Sequence, residues 1–339
     1  MKFERYRHWN QLPPSVDSLF NLAGNESMFL TREWFETLYA KTFKEGQSLL
    51  LASVQDKGNV VALLPLTGAD ERWQSFNHRY TALYSLLVVE ENQAEILSCL
   101  AKGLSQIPVH SLQLNPVAED DSNLLHLQQV MESSGYEFHR HFFFYNWFHR
   151  TRGQSFDQYM AERPTQLRNT IARKRRKLER EHEFDIRLFK GDEVQRGLLD
   201  YHAAYSASWK AYEQYVELLD AVAINLSKPD WTRLAVLTID GKAAAAQLWF
   251  VVGVKASIFR LAYDEAWKRY SPGSILTAYL MQYVIDIDKV EEIDFLTGNE
   301  AYKQDWMSER RQRWRLVLVK PQKTQTKNIF RSAINIILR

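Results

Sequence analysis

Near its C-terminal end the chain reads IDFLTGNEAYKQDW over residues 293–306. A strand-like apolar run containing Asp294 stops at Gly298. Asn299 can then cap a helix with Tyr302 and Lys303 in its first turn. These residue types can move or steady charge. A phenol can donate a proton, the carboxylate of Asp294 or Glu300 can accept one, and an ammonium can steady a developing anion. The same spacing would also let Tyr302 pack on Trp306, four residues on, with Lys303 in solvent. A second stretch, RYSPGSIL (269–276), offers anion binding. Ser271 is a good N-cap, Pro272 suits the first helical position, and Gly273 carries no side chain to block the backbone. A helix starting there presents free N–H groups, including that of Ser274, to a phosphate, with Lys268 and Arg269 just upstream. A third, SASWK (206–210), places Trp209 and Lys210 together. They could stack on a sugar ring and meet a phosphate, or anchor a helix.

The elements that must position these residues follow from periodicity. In the second half, RLAVLTID, AAAAQLWFVV and ASIFRLAYD read as a three-stranded antiparallel meander, with Asp240-Gly241 as its first turn. A helix from Ser271, a strand EEIDFLTG, a short helix and a last strand RWRLVLVK complete the order β-β-β-α-β-α-β. The first half repeats it: strands at 48–55, 60–67 and 81–89, a helix at 92–107, a strand at 110–117, a helix at 120–135 and a strand at 136–148. Helices are expected before each half, at 31–43 with Thr31 as cap and at 162–182, and again within 198–227. At the first-half junction that matches Ser271–Ser274 stand Glu90 and Glu91, which would repel a phosphate. The expected division is 1–150, 151–322 and a tail 323–339.

Composition narrows the function classes. The chain has 339 residues, formal net charge +2 and one cysteine. A disulfide framework and a multi-cysteine zinc site are excluded, and Cys99 reads as a helix core residue. His139 and His141 share a strand face without a third ligand at useful spacing, so no metal is expected. The N-terminus has no apolar signal segment and no run is long enough to span a membrane, so a cytoplasmic protein is expected. In the tail, Ile329, Phe330, Ala333, Ile334 and Ile337 form an apolar stripe that could rest on the inner membrane face or close over the fold. RNTIARKRRKLER (168–180) is a basic run, either a solvated helix face or a contact for a polyanion. It lacks the aromatic interleaving of a single-strand reader, so nucleic acid is not an expected partner.

The stretches SASWK, LAYDEAWKRYSPGSIL and DFLTGNEAYKQDW occur together in an order and spacing that resembles the CelD-type acetyltransferase domain of the GNAT superfamily, over residues ~165–320. That domain is found with bacterial exopolysaccharide and cellulose genes and is related to FemAB-type tandem GNAT transferases. Against the common GNAT phosphate-loop pattern only Gly273 matches; Tyr270 and Ile275 stand at its first and last places. The resemblance implies a tandem GNAT-like α/β (α+β) protein, each half a mixed, mostly antiparallel sheet flanked by helices, the first half degenerate and shaping the acceptor cleft. It implies an acyl-CoA, most simply acetyl-CoA, held in a gap between the fourth and fifth strands, with its pyrophosphate on Arg269, Ser271, Gly273 and Ser274. It implies direct attack by an amine or hydroxyl acceptor, a sugar or other polysaccharide precursor, near Trp209, Lys210 and Glu300. Tyr302 would protonate the departing thiolate, Lys303 would steady the oxyanion or neutralise the donor, and Asp294 or Glu300 would take the acceptor's proton. A Fem-type transferase using charged tRNA and a non-catalytic binding module are the alternatives.

Overall fold

The computed structural model describes residues 1–44, 46–210 and 213–321. The tail expected over 323–339 lies outside the described residues. The first half runs β1 (Lys2–Tyr6), α1 (Asp17–Gly24), α2 (Arg32–Thr42), β2 (Ser48–Asp56), β3 (Asn59–Ala69), β4 (Arg72–Ser75), β5 (Leu87–Val88), α3 (Gln93–Ser105), β6 (Ser111–Ala118), α4 (Ser122–Ser133) and β7 (Glu137–Arg150). The second runs α5 (Phe156–Ala161), α6 (Thr165–Glu181), β8 (Phe184–Phe189), α7 (Val194–Ser206), α8 (Val216–Asn225), β9 (Thr232–Ile239), β10 (Lys242–Val252), β11 (Lys255–Tyr263), α9 (Pro272–Gln282), β12 (Glu292–Thr297), α10 (Lys303–Trp306) and β13 (Glu309–Val319). The fold is mixed α/β, with one mostly antiparallel sheet flanked by helices.

Local chemistry accounts for most of these boundaries. Lys57 and Gly58 (φ 49° and 86°) and Asp240 and Gly241 (φ 49° and 75°) both place two left-handed residues between paired strands. That is the turn whose twist matches a right-handed hairpin. Thr31 caps α2 by accepting from the Trp34 amide, and Asp121 caps α4 by accepting from Leu124.

Several expectations change. The strand expected at 81–89 shrinks to Leu87–Val88, because the preceding residues bond outside the ladder: the Tyr84 amide donates to Pro116 and its hydroxyl to Pro65. The short β4 takes the place beside β6 instead. The sequence reading does not include the edge strands β1 and β8, although FDIRLF shows the alternation of a half-covered strand. Ser271 is not a side-chain cap: it sits in the left-handed region (φ 53°), and its carbonyl, not its hydroxyl, accepts from Ser274 and Ile275. Pro272 disfavours the right-handed conformation in the residue before it. Asn299 is no cap either. Its side-chain oxygen accepts from the Trp147 indole at 2.8 Å, and α10 starts only at Lys303.

The strand order is β1-β2-β3-β4-β6-β13-β7-β12-β11-β10-β9-β8, with β5 beside β3. The final strand of each half therefore pairs across the midline: β13 lies between β6 and β7, and β7 lies against β12. Side chains close the same seam. Trp34 of α2 packs edge-on against Phe259 of β11 at 6.2 Å, and Asn225 of α8 donates to Thr37 of α2 at 3.0 Å. One continuous core runs from the first half under α7 and α8, and a second fills the space between α6, α9 and β9–β12.

Candidate active site

β11 and β12 pair in parallel only from Lys255–Glu292 to Ser257–Asp294, then part. Two bulges cause the parting. In β11, Phe259 is the extra residue opposite the Leu248–Trp249 step of β10. In β12, Phe295 and Leu296 stand opposite Trp147 alone, and Leu296 has a left-handed φ of 56°. A bulge bends its strand and leaves backbone groups out of the ladder. The result is a cleft of about 640 Å³ with Ile258–Leu261 on one wall and Phe295–Thr297 on the other.

Asp294 holds the second bulge. Its Oδ1 accepts from the Leu296 amide at 2.6 Å and from the Asn146 amide group, and Asn146 also donates to the Leu296 carbonyl at 2.8 Å. Its Oδ2 meets Arg311 at 2.6 Å. Burial pushes the carboxyl up, but Arg311, Lys255 and Arg313 outweigh it and hold the group below its usual range. Asp294 is 5% exposed and does not line the cleft. It is placed to shape the site, behind the wall, rather than to meet a substrate.

A lysine caps each of the splayed edges. Lys303, 4% exposed, donates to the carbonyls of Phe295 and Thr297 and pairs with Glu300 at 2.9 Å. Lys210 reaches from the other side to the Leu261 carbonyl. Burial, with Arg260 adding to it, pushes Lys210 down to about 8. The Glu300 carboxylate stays below its usual range: Lys303 and the local hydrogen bonds overcome its burial. Gly298 is required here, since its φ is +113° and a Cβ would collide with the Glu300 carboxylate.

Tyr302 lines the same cleft and packs edge-on against Phe295 at 5.7 Å, not on Trp306. Burial and Glu300 push its phenol well up, so it stays protonated and can serve as a donor. Trp209 borders the cleft 52% exposed, its ring 4.5 Å from that of Tyr263. The Tyr263 ring in turn lies beside Gly273, where a Cβ would come within 3.3 Å of it. The Trp209–Tyr263 pair thus joins the cleft to the start of α9. At that start the tertiary fold adds charge. Lys174 of α6 donates to the Arg269 carbonyl, Lys177 lies over the Tyr270 ring at 5.2 Å, and Arg269 stacks on Tyr270 at 4.7 Å. The basic run is a single helix packed beside the Ser271–Ser274 turn.

Sequence reasoning gives the first half a part in the acceptor cleft but does not single out its residues there. Arg79 and Tyr80 line the cleft with Glu213 and Arg260. Tyr80 donates to Glu213, which also meets Arg260 at 3.4 Å. Only Arg260 left a signal, as a charged residue within the apolar strand ASIFRLAYD. Among the described residues, no group of three or more His, Cys, Asp or Glu could hold a metal, and no helix is long and apolar enough to cross a membrane.

Residues 165–304 match the family model of the acetyltransferase (GNAT) domain. No curated protein matches the chain in sequence. Similar solved structures share its fold at low identity. FemX is 10% identical, with a TM-score of 0.63 over 92% of this chain and 96% of that one. A conserved protein of unknown function from Bacteroides thetaiotaomicron is 10% identical, with a TM-score of 0.61 over 93% and 100%. L-PGS from Bacillus licheniformis is 12% identical, with a TM-score of 0.53 over 97% of each chain. Residues 165–304 are thus similar to a GNAT acetyltransferase domain, and the chain shares its fold along nearly its whole length with FemX.

Proposed function

We propose that the protein transfers an acyl group from a phosphate-bearing thioester, acetyl-CoA in the simplest case, to an amine or hydroxyl acceptor held in the β11–β12 cleft. The observation that carries this reading is the continuity from the cleft, through Trp209 and Tyr263, to the cation-flanked turn that opens α9. The backbone at Gly273 and Ser274 and the side chains of Arg269 and Lys174 take the donor's phosphates. The acceptor attacks the carbonyl directly. Lys210 stabilises the oxyanion that forms, Lys303 adds its positive charge from its place on the wall carbonyls, and the Tyr302 phenol donates to the departing sulfur. Glu300, ionised at the cleft wall, receives the acceptor's proton. The resemblance carried by SASWK, LAYDEAWKRYSPGSIL and DFLTGNEAYKQDW supports a sugar or related precursor of a surface polysaccharide as acceptor, made on the cytoplasmic side.

Calorimetric titration of acetyl-CoA tests the donor. The wild type is expected to bind it, and Gly273→Glu to weaken binding at least about 100-fold, since a carboxylate would stand where the phosphates lie and a Cβ already crowds Tyr263. A folded wild type that binds no acetyl-CoA, with or without acceptor, rejects the thioester.

One observation favours a second donor. The carbonyls of Leu261, Phe295 and Thr297, which an extended amide-bearing carrier would use, each already accept one hydrogen bond from Lys210 or Lys303. An aminoacyl ester on RNA needs none of them and would use the basic α6 for its backbone. A further fold neighbour, the C-terminal domain of a putative lysylphosphatidylglycerol synthetase from Agrobacterium fabrum, is 12% identical, with a TM-score of 0.53 over 82% of this chain and 84% of that one. Its name points to transfer of an aminoacyl group. Salt-sensitive binding of charged tRNA, without binding of acetyl-CoA, selects this reading.

A further inference from the structure

The cleft is not electrically neutral. Among the described residues its walls carry four cations, Arg79, Lys210, Arg260 and Lys303, against two carboxylates, Glu213 and Glu300. Those charges are unevenly committed. Lys303 pairs with Glu300 at 2.9 Å and is spent on wall carbonyls. Arg260 is held differently. Its guanidinium lies over the rings of Tyr80 at 3.9 Å and Phe259 at 4.7 Å, and Nη1 donates to the Phe259 carbonyl at 3.0 Å. Its contact with Glu213 is a single long one, Nε to carboxylate at 3.4 Å, and Glu213 also receives the Tyr80 hydroxyl. Arg79, next to Tyr80 in sequence, donates to the neutral side-chain oxygen of Gln214 at 3.0 Å.

A guanidinium held over aromatic rings has lost much of its conformational freedom in advance and keeps edge N–H groups for a planar or tetrahedral anion. A second arginine, from the first half, lines the same cleft. The other part of the cleft holds its ionised carboxylate, Glu300, which pairs with Lys303 through one oxygen and stands beside Tyr302 and Thr297. An ammonium suits Glu300, and an anion suits Arg260 and Arg79.

We propose that the acceptor is an amine that also carries an anionic group, a carboxylate or a phosphate, and that Arg260 and Arg79 bind that group while the amine lies toward Glu300. This rests on the acyl-transfer reading for the role of the ligand, though not for its binding. The first half then acts directly at the site, because it supplies Arg79 and, through Tyr80, holds Arg260 in place.

The test uses the full-length protein and three probes with the same amino group: glucosamine, glucosamine 6-phosphate and glucosaminuronic acid. Calorimetry on the wild type is expected to show at least one of the charged probes binding about tenfold or more tighter than glucosamine. Whichever binds tighter identifies phosphate or carboxylate. Arg260→Gln is expected to remove most of that preference, Arg79→Gln part of it, and Arg260→Lys to restore less than half of it. Inorganic phosphate is expected to compete with a preferred phosphate probe in the wild type and not in Arg260→Gln. Equal affinities for all three probes, no binding of either charged probe with or without acetyl-CoA, or a preference that survives both arginine replacements overturns the proposal. If Arg260→Gln does not fold, Arg79→Gln and Arg260→Lys carry the test. If the preference is found while acetyl-CoA does not bind, the subsite stands and the donor reading falls.

Discussion

Lys210→Met is expected to yield a more stable and far less active protein. The wild-type ammonium is buried at the cleft wall and pushed down to about 8 from its ordinary 10.5. A lysine that titrates lower when folded binds its proton less tightly in the native state than in the unfolded one. That penalty is fully present below about pH 8 and disappears as the pH rises to about 10.5, where the unfolded chain also loses its proton. Wild-type stability should therefore climb between these two values, while the variant shows no such slope. Allowing for partial exposure and for the Leu261 carbonyl left without its donor, the gain at pH 7 is on the order of 1–2 kcal/mol. Activity moves the other way. Removing one preorganised donor from an oxyanion site typically costs about 100- to 1,000-fold in kcat. Denaturant unfolding at pH 7 and pH 10, beside turnover with a confirmed donor and acceptor, checks both parts. A variant that is less stable at pH 7 would mean that Lys210 is a structural donor first.

Asp294→Ala is expected to be the most destabilising single change at the site, by about 3–5 kcal/mol. The carboxylate is fully buried and answers Arg311 at 2.6 Å, with Arg313 close enough to feel it. Burial, with Arg311 beside it, already pushes Arg313 down to about 10. Without Asp294, the buried Arg313 and the half-buried Arg311 keep Glu292 as their remaining anion, and the β12 bulge loses the acceptor of its Leu296 amide. The pH dependence has the opposite sign to that of Lys210. A carboxyl held low when folded stabilises above its unfolded pKa of about 4 and loses that contribution as pH falls through the folded value. The gap between wild type and variant should therefore be widest above pH 5 and narrow in acid. A variant with wild-type unfolding and a large loss of kcat would instead return Asp294 to the role of general base.

Asp294 also marks where local sequence stops deciding. The succession of strands and helices in each half follows from local periodicity and turn chemistry. Alternation, 3.6-residue spacing and the Lys57-Gly58 and Asp240-Gly241 hairpins act within a few residues. So do Pro272 and Gly273 at the start of α9 and Gly298 at the end of β12. The same local signals put Trp209, Lys210, Glu300, Tyr302 and Lys303 on segments that end near one another, and all five line the cleft. What local signals could not contain is pairing. Nothing near RWRLVLVK says that it will lie between β6 and β7, because a strand edge bonds any compatible partner and the choice is made by the whole sheet. That choice brings Arg311 and Asn146 onto Asp294, whose carboxylate then holds the β12 bulge. Packing of α2 on α8 and β11 brings the two halves together, with Tyr80 beneath Arg260. The reactive residue types were written locally; the partners that fix their roles, Asn146 for Asp294 and Tyr80 for Arg260, come from more than a hundred positions away.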